Sequence, residues 1–255
     1  MAADLFDLSG RIALITGSGQ GIGLTLARGL ASAGATIVLN DIIEDRLNAA
    51  VDGLRSEGIR ANGSLFDVTA AEQVGAAIAE LEATVGPVEI LINNAGIQYR
   101  APLEDFPLDA WNRLVAVNLT GVFVVSQAVA RRMIPRGHGK IIAICSMQSE
   151  LARPTIAPYT ATKGGVRNLV RGMCTDWAHY GLQINGIGPG YFVTELTKQL
   201  AEDPAFDAWL RQRTPAGRWG EVDELIGAAI FLSAPASSFV NGQVIYVDGG
   251  MLAAV

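Results

Sequence analysis

The chain has 255 residues, half of them hydrophobic, and only 17% are charged, with a net charge of −6. The charged share is below the ~25% usual for soluble domains, which implies a large core and a surface partly covered by other subunits. An acidic balance without a Lys/Arg-rich run excludes a nucleic-acid partner, and apolar stretches such as "LIGAAIFLSA" fall short of the ~20 residues that span a bilayer.

The opening "MAADLFDLSGR" has no basic-then-apolar leader. Cys145 and Cys174 have no metal-ligand spacing and are too few for a disulfide framework, so both read as small buried apolar residues. These features predict a reduced, cytoplasmic, soluble protein with no membrane partner and no metal site.

In chain order, "RIALIT" (11–16) reads as a buried strand, followed by a helix through "GIGLTLARGLASAG". "TIVLND" (36–41) is the second strand, with a helix from about Glu44 to Glu57. A third strand lies in "ANGSLFDV", with a helix over 70–85. "EILINNAG" is the fourth, and a long helix follows from about Leu108 to Met133. "KIIAICS" (140–146) is the fifth, succeeded by a helix carrying Tyr159. "LQINGIGPG" and "QVIYVDGG" supply the sixth and seventh strands.

Apolar strands separated by helices predict a parallel sheet buried on both faces. Right-handed crossovers then give an α/β, Rossmann-type doubly wound sheet of about seven strands, here in one domain spanning 1–255. Residues 191–218 break the alternation and read as a helical excursion near the carboxyl edge of the sheet, a candidate lid.

"TGSGQGIG" (16–23) lies between the first strand and its helix. Gly17, Gly21 and Gly23 let backbone approach a pyrophosphate, while free N–H groups at the helix N-terminus, that of Ile22 among them, stabilise its charge. Asp41 ends the second strand, where a carboxylate can accept hydrogen bonds from an adenosine ribose and repel a 2′-phosphate. It therefore favours NAD, while Arg46 keeps NADP possible. Asp41 and Glu44 also have the spacing of a capping box for the next helix.

Tyr159 and Lys163 are four residues apart, about one helical turn, and so share a helix face. An ammonium ~4 Å from a phenol, at an effective dielectric of ~20, favours the phenolate by ~4 kcal/mol, about three pKa units, with burial opposing. The pair can exchange a proton with an alcohol, and the Ser146 hydroxyl can orient the same oxygen. Such a site needs a nicotinamide to carry hydride. The bland alternative is a surface Tyr–Lys pair beside an incidental strand-end serine.

Other chemistries have weaker support. His138 and His179 sit in neither a zinc-ligand nor a triad pattern, and no G-x-S-x-G elbow is present. Asp203/Asp207 and Glu221/Glu224 read as solvated helix faces or caps.

In order along the chain, "TGSGQGIG", Asp67-Val68, "NNAG" (93–96), Asn118, Ser146, "YTATK" and "PGYFVT" (189–194) together resemble the short-chain dehydrogenase/reductase family. The resemblance spans essentially the whole chain. It implies a catalytic set of Asn118, Ser146, Tyr159 and Lys163, with Asn118 interrupting its helix to hold a water that links Lys163 to solvent. Read by itself, Asn118 is an ordinary satisfied helix asparagine. The resemblance also implies Asp67 and Val68 beside the adenine and Asn94 near a ribose. Lys163 and Tyr159 would adjoin the nicotinamide ribose, with Gly190 and Thr194 near the carboxamide. Thr162, where the family usually has serine, is a small departure.

"ICSMQSEL", "RGMCTDWA", "TPAGRWG" and the ending "VDGGMLAAV" are similar to members of that family that interconvert D-gluconate and 5-dehydro-D-gluconate. That likeness implies a homotetramer with interfaces on helices 108–133 and 158–179 and at the C-terminus. A sugar acid needs a cation for its carboxylate and polar groups for its hydroxyls. Arg100 and Arg153 are candidates for the first, Gln98 and Gln148 for the second, with Ser146 and Tyr159 at the reacting carbon. Either arginine also reads as a solvent-facing loop charge. Another polyol, a 3-oxoacyl thioester or a steroid stays open as substrate. A non-catalytic nucleotide sensor is the remote alternative.

Overall fold

The computed structural model describes residues 3–195 and 197–254. Positions 1, 2, 196 and 255, which fall within the expected domain and excursion, lie outside the described residues.

Short runs of β-branched and leucine residues form seven parallel strands: β1 (Ile12–Ile15), β2 (Thr36–Asp41), β3 (Ala61–Leu65), β4 (Val88–Asn93), β5 (Gly139–Ile144), β6 (Leu182–Pro189) and β7 (Val244–Val247). Their spatial order is β3-β2-β1-β4-β5-β6-β7. The chain winds outward in one direction from β1 and in the other from β4. The carboxyl ends of these two strands therefore border the crevice where open α/β sheets take ligands.

Alternate side chains of each strand point to opposite faces, and each face is covered by helices. Ala13, Ile15, Ile90 and Ile92 join residues of α1 (Gly21–Ser32), α2 (Glu44–Ser56) and α9 (Ile226–Ser233) in one core layer. Leu14, Leu91 and Ile141 join α3 (Ala71–Thr84), α5 (Gly121–Met133) and α6 (Ala157–Trp177) in the other. The predicted seven parallel strands and doubly wound topology hold, with the edge strands β3 and β7 only partly buried.

The predicted helix from Leu108 is α4 (Leu108–Val115), a π-helical turn (Ala116–Thr120) and then α5. The helical run Leu108–Arg136 is long and apolar enough to cross a membrane by length and composition, which the short apolar stretches did not suggest. Its apolar residues instead supply one layer of the core, where Val125 and Val129 are fully buried.

The excursion after β6 contains α7 (Lys198–Ala201) and α8 (Pro204–Arg213). Asp203 caps α8 by accepting from the Ala205 and Phe206 amides at 3.0 and 3.4 Å, with Pro204 in the first turn. A satellite core of Met147, Leu210, Trp219 and Met251 holds this segment down. The Trp219 indole N–H also donates to Asp207 at 2.7 Å. Glu224, the other acid pair's member, accepts from the Glu221 amide at 2.8 Å as a cap.

Candidate active site

One cleft of about 860 Å³ runs from the glycine loop after β1 to the start of the excursion. At its phosphate end, Gly17 and Gly21 both have φ +58, a left-handed backbone that favours glycine. A Cβ on Gly17 would lie 2.7 Å from the Ala95 Cα, so the loop also needs the absence of a side chain there. The N-cap of α1, Gln20, makes no side-chain cap hydrogen bond, and Gly17, Gln20, Gly21 and Ile22 line the cleft. The first-turn N–H groups of α1 thus have no intrahelical partner and suit an anion.

Gly23 does not line the cleft. It lets α1 pack close, since a Cβ there would meet the Asn94 Nδ2 at 2.5 Å. Asn94 donates from that amide to the carbonyls of Thr16 and Gly17, so it braces the glycine loop as well as lining the cleft. The Thr16 hydroxyl returns the tie by accepting from the Asn94 and Ala95 amides.

At the adenosine end, Asp41 is 2% exposed. Its carboxylate accepts from the Gly19 amide, the Ile43 amide and the Arg46 guanidinium. Burial pushes its carboxyl up, but these hydrogen bonds and the Arg46 charge bring it below the usual range. The expected capping box with Glu44 does not form: the N-cap of α2 is Ile43, and Asp41 spends its oxygens on the loop and Arg46. Asp67 accepts from the Thr69 amide and hydroxyl at 2.8 Å, and with Val68 it lines the cleft. Gly19 and Asn40 were not singled out from the sequence. A Cβ on Gly19 would sit 2.6 Å from the Asp41 carboxylate, and the Asn40 side chain accepts from the Gly17 amide.

At the chemical end, Ser146 follows β5 and accepts from the Gln148 amide at 3.1 Å. Its hydroxyl lies beside the phenol of Tyr159, in the first turn of α6. Lys163, one turn further, donates from Nζ to the Ile144 carbonyl at 2.7 Å and lies 5.7 Å from the centroid of the Tyr159 ring. All three line the cleft with Gly190 and Thr194.

Burial raises the Tyr159 pKa above the ordinary phenol value, against the neighbouring Ser146 hydroxyl and the Arg100 charge, which lower it. The net fall expected from the Lys163 charge is thus overturned. The ammonium is turned toward the Ile144 carbonyl, and desolvation penalises each charged form on its own. The same burial lowers Lys163 to about 8. Cys145 beside them is an inert thiol, pushed up to about 11 by burial.

Asn118 is fully buried in the π-helical turn. Its side chain exchanges two hydrogen bonds with the backbone of Ile97, at 2.8 and 2.9 Å, and donates to the Thr162 hydroxyl at 3.4 Å. The helix interruption is real, since π turns insert one extra residue per turn.

Gln98, Arg100, Gln148 and Arg153 lie outside the walls of the large cleft. Gln98 accepts from the Tyr99 amide at 3.0 Å. The other three gather beyond Tyr159, around Tyr191. Arg100 and Arg153 act electrostatically on the Tyr191 phenol, and the Gln148 side chain adjoins it. Tyr191 was not foreseen, because a tyrosine after "GPG" carries no local signal of its partners.

The glycine loop, the buried acid at the end of β2 and the Ser146–Tyr159–Lys163 set share one crevice on a doubly wound sheet. The chain belongs to the short-chain dehydrogenase family, whose family model matches residues 11–205. It is 60% identical over 248 residues to the gluconate 5-dehydrogenase of Gluconobacter oxydans (strain 621H), covering 97% of each chain. It is 57% identical over 252 residues to the 5-keto-D-gluconate 5-reductase of Escherichia coli (strain K12), covering 99% of each. The crystal structure of a gluconate 5-dehydrogenase from Burkholderia cenocepacia J2315, in complex with NADP and tartrate, superposes with a TM-score of 0.98 at 64% identity over the full length of both chains.

Proposed function

We propose that the protein is an NAD(P)-dependent oxidoreductase that interconverts D-gluconate and 5-dehydro-D-gluconate. The observation that carries the chemistry is that Ser146, Tyr159 and Lys163 line one end of a crevice whose other end is a glycine-lined helix N-terminus. The substrate class rests on the similarity to enzymes of gluconate and 5-keto-D-gluconate.

A dinucleotide fits these residues: α1 presents first-turn N–H groups for its pyrophosphate, and Gly17 and Gly21 leave the approach free of side chains. Asp41, Asp67 and Val68 form the adenosine end, and Lys163, Gly190 and Thr194 the nicotinamide end. When bound, the nicotinamide supplies or accepts the hydride. Ser146 donates to or orients the substrate oxygen. Tyr159, whose phenol burial keeps protonated near neutrality, gives its proton to the ketone oxygen in reduction and takes it back in oxidation. Lys163 places positive charge beneath that exchange, and Asn118 keeps the 97–98 segment seated against α6. Residues 191–218 act as a lid over the substrate end.

The sequence expectation of an NAD preference rests on Asp41 and on the lack of Arg or Lys in the glycine loop and immediately after Asp41. Because Asp41 is already neutralised by Arg46, a 2′-phosphate would meet a cation at the same place, and we read the site as taking NADP as well as NAD. The assembly is a cytoplasmic homotetramer in this reading. It is supported by Leu108, Trp111 and Phe123, large apolar residues exposed on the helices expected at the interfaces.

The test is a panel followed at 340 nm, with D-gluconate, 5-dehydro-D-gluconate, sorbitol and an acetoacetyl thioester against both nicotinamides. Turnover of D-gluconate no faster than of sorbitol would overturn the substrate assignment.

A further inference from the structure

Arg153 sits in the loop between Ser149 and α6, on a backbone bent by Thr155, whose φ of 72 is the single positive value for a non-glycine among the described residues. Such a conformation is costly for a β-branched residue and persists where the surroundings enforce it. Here the Thr155 carbonyl accepts from the Ala101 amide at 3.2 Å, which joins this loop to the segment carrying Arg100. Two guanidinium-bearing loops are thereby brought to the same end of the cleft, where burial and then the Arg153 charge hold the Arg100 guanidinium below its ordinary pKa.

The Arg153 side chain is held in an unusual way. Its guanidinium carbon lies 5.3 Å from the centroid of the Phe206 ring, a cation–π contact across from α8. Phe206 is itself fixed edge-on to Tyr191 at 5.4 Å and packs on Trp209 at 5.1 Å. Arg153 makes no ion pair among the described residues, and its buried Nε has no hydrogen-bond partner. The Gln148 Oε1 nearby is likewise buried without a partner. A planar cation stacked on an aromatic face, with an N–H edge unspent, is arranged to accept a planar anion edge-on.

We propose that Arg153 is the residue that makes this site select an anionic polyol over a neutral one by pairing with the substrate carboxylate, and that Phe206 is its positioning residue. The inference rests on the reading of the substrate as a sugar acid. It assigns to α8, otherwise a covering helix, a part in specificity that its sequence does not announce.

The test is a double-mutant cycle on the full-length enzyme with D-gluconate, reading KM and kcat separately, with NADP Kd and melting temperature as controls for folding. Loss of a charge-assisted pair predicts a KM raised about 30-fold in Arg153→Gln, with a smaller change in kcat and NADP Kd within about twofold. Arg153→Lys, which keeps the charge and loses the plane, should recover part of the KM. Phe206→Leu should raise KM about fivefold in the wild-type background and leave it unchanged in the Arg153→Gln background. An unchanged KM in Arg153→Gln would overturn the inference and leave the proposed reaction standing. Equal effects of Phe206→Leu in both backgrounds would overturn the positioning role alone. Absence of D-gluconate turnover in the wild type would overturn the reaction and this inference together.

Discussion

Asp41 and Arg46 are clasped at the carboxyl end of β2, the arginine donating from Nε at 2.9 Å and from Nη2 at 2.5 Å to the two carboxylate oxygens. The acid that would exclude a 2′-phosphate and the cation that would welcome it are one bidentate pair. Arg46→Ala removes the cation and unmasks the acid, two effects of the same sign. NADP affinity should fall at least tenfold, with NAD affinity changing much less. Fluorescence titration with both dinucleotides checks this; equal losses would show that Arg46 does not face the 2′ position.

Tyr159→Phe deletes one oxygen from a partly buried ring. It should leave cofactor binding intact while turnover falls by ~10²–10⁴-fold, the usual worth of a positioned proton donor. The phenol pKa lies above its ordinary value, so reduction, which needs the protonated form, should be flat in pH near neutrality. Oxidation, which needs the phenolate, should climb as pH rises well into the alkaline range. Steady-state rates in both directions across pH decide it.

Gly17 and Gly21 share φ +58 but differ in surroundings. An alanine at 17 would strike the Ala95 backbone, whereas one at 21 meets nothing within 4 Å. Gly17→Ala should therefore lower the melting temperature markedly. Gly21→Ala should cost the fold only ~1–2 kcal/mol of left-handed strain while weakening dinucleotide binding, because its methyl enters the space before the α1 amides. Calorimetry paired with cofactor titration separates the two.

Lys140 is buried at the start of β5, where its ammonium donates to the Ser237 hydroxyl at 3.1 Å. Burial, with Arg11 nearby, lowers it from 10.5 to about 8. The sign follows: between pH 8 and 10.5 the unfolded chain keeps a proton that the folded one has released, so stability from this group rises with pH across that window. Below pH 8 the buried charge costs at most about 3 kcal/mol, at ~1.4 kcal/mol per pH unit. Lys140→Met keeps an unbranched stem one atom shorter and removes the charge, and Ser237 keeps its bonds to the Leu232 and Ala234 carbonyls. The variant should melt a few degrees higher at pH 7, with the gain shrinking toward pH 10. A gain independent of pH would point to packing instead.

The order of elements was legible because each strand is a short apolar run and each helix a 3.6-residue pattern, both local properties of the chain. The glycine loop and the Tyr159–Lys163 spacing were legible for the same reason, since one turn of helix relates their residues. Asn118 was legible through family likeness alone, because nothing in "RLVAVNLTGVF" signals a π turn. The lowered phenol pKa was misjudged: the distance between two side chains was anticipated, but not the desolvation surrounding both.

Periodicity and turn chemistry thus determined a doubly wound sheet, a glycine-rich strand-to-helix turn and a phenol beside an amine, since each depends on neighbours within a few positions. Tertiary structure alone decided that Arg46 answers Asp41, that Lys163 faces the Ile144 carbonyl and that Arg153 rests on Phe206. Direction, burial and charge balance of a side chain depend on what packs against it from distant parts of the chain. Those quantities govern which cofactor, which proton and which substrate the cleft accepts.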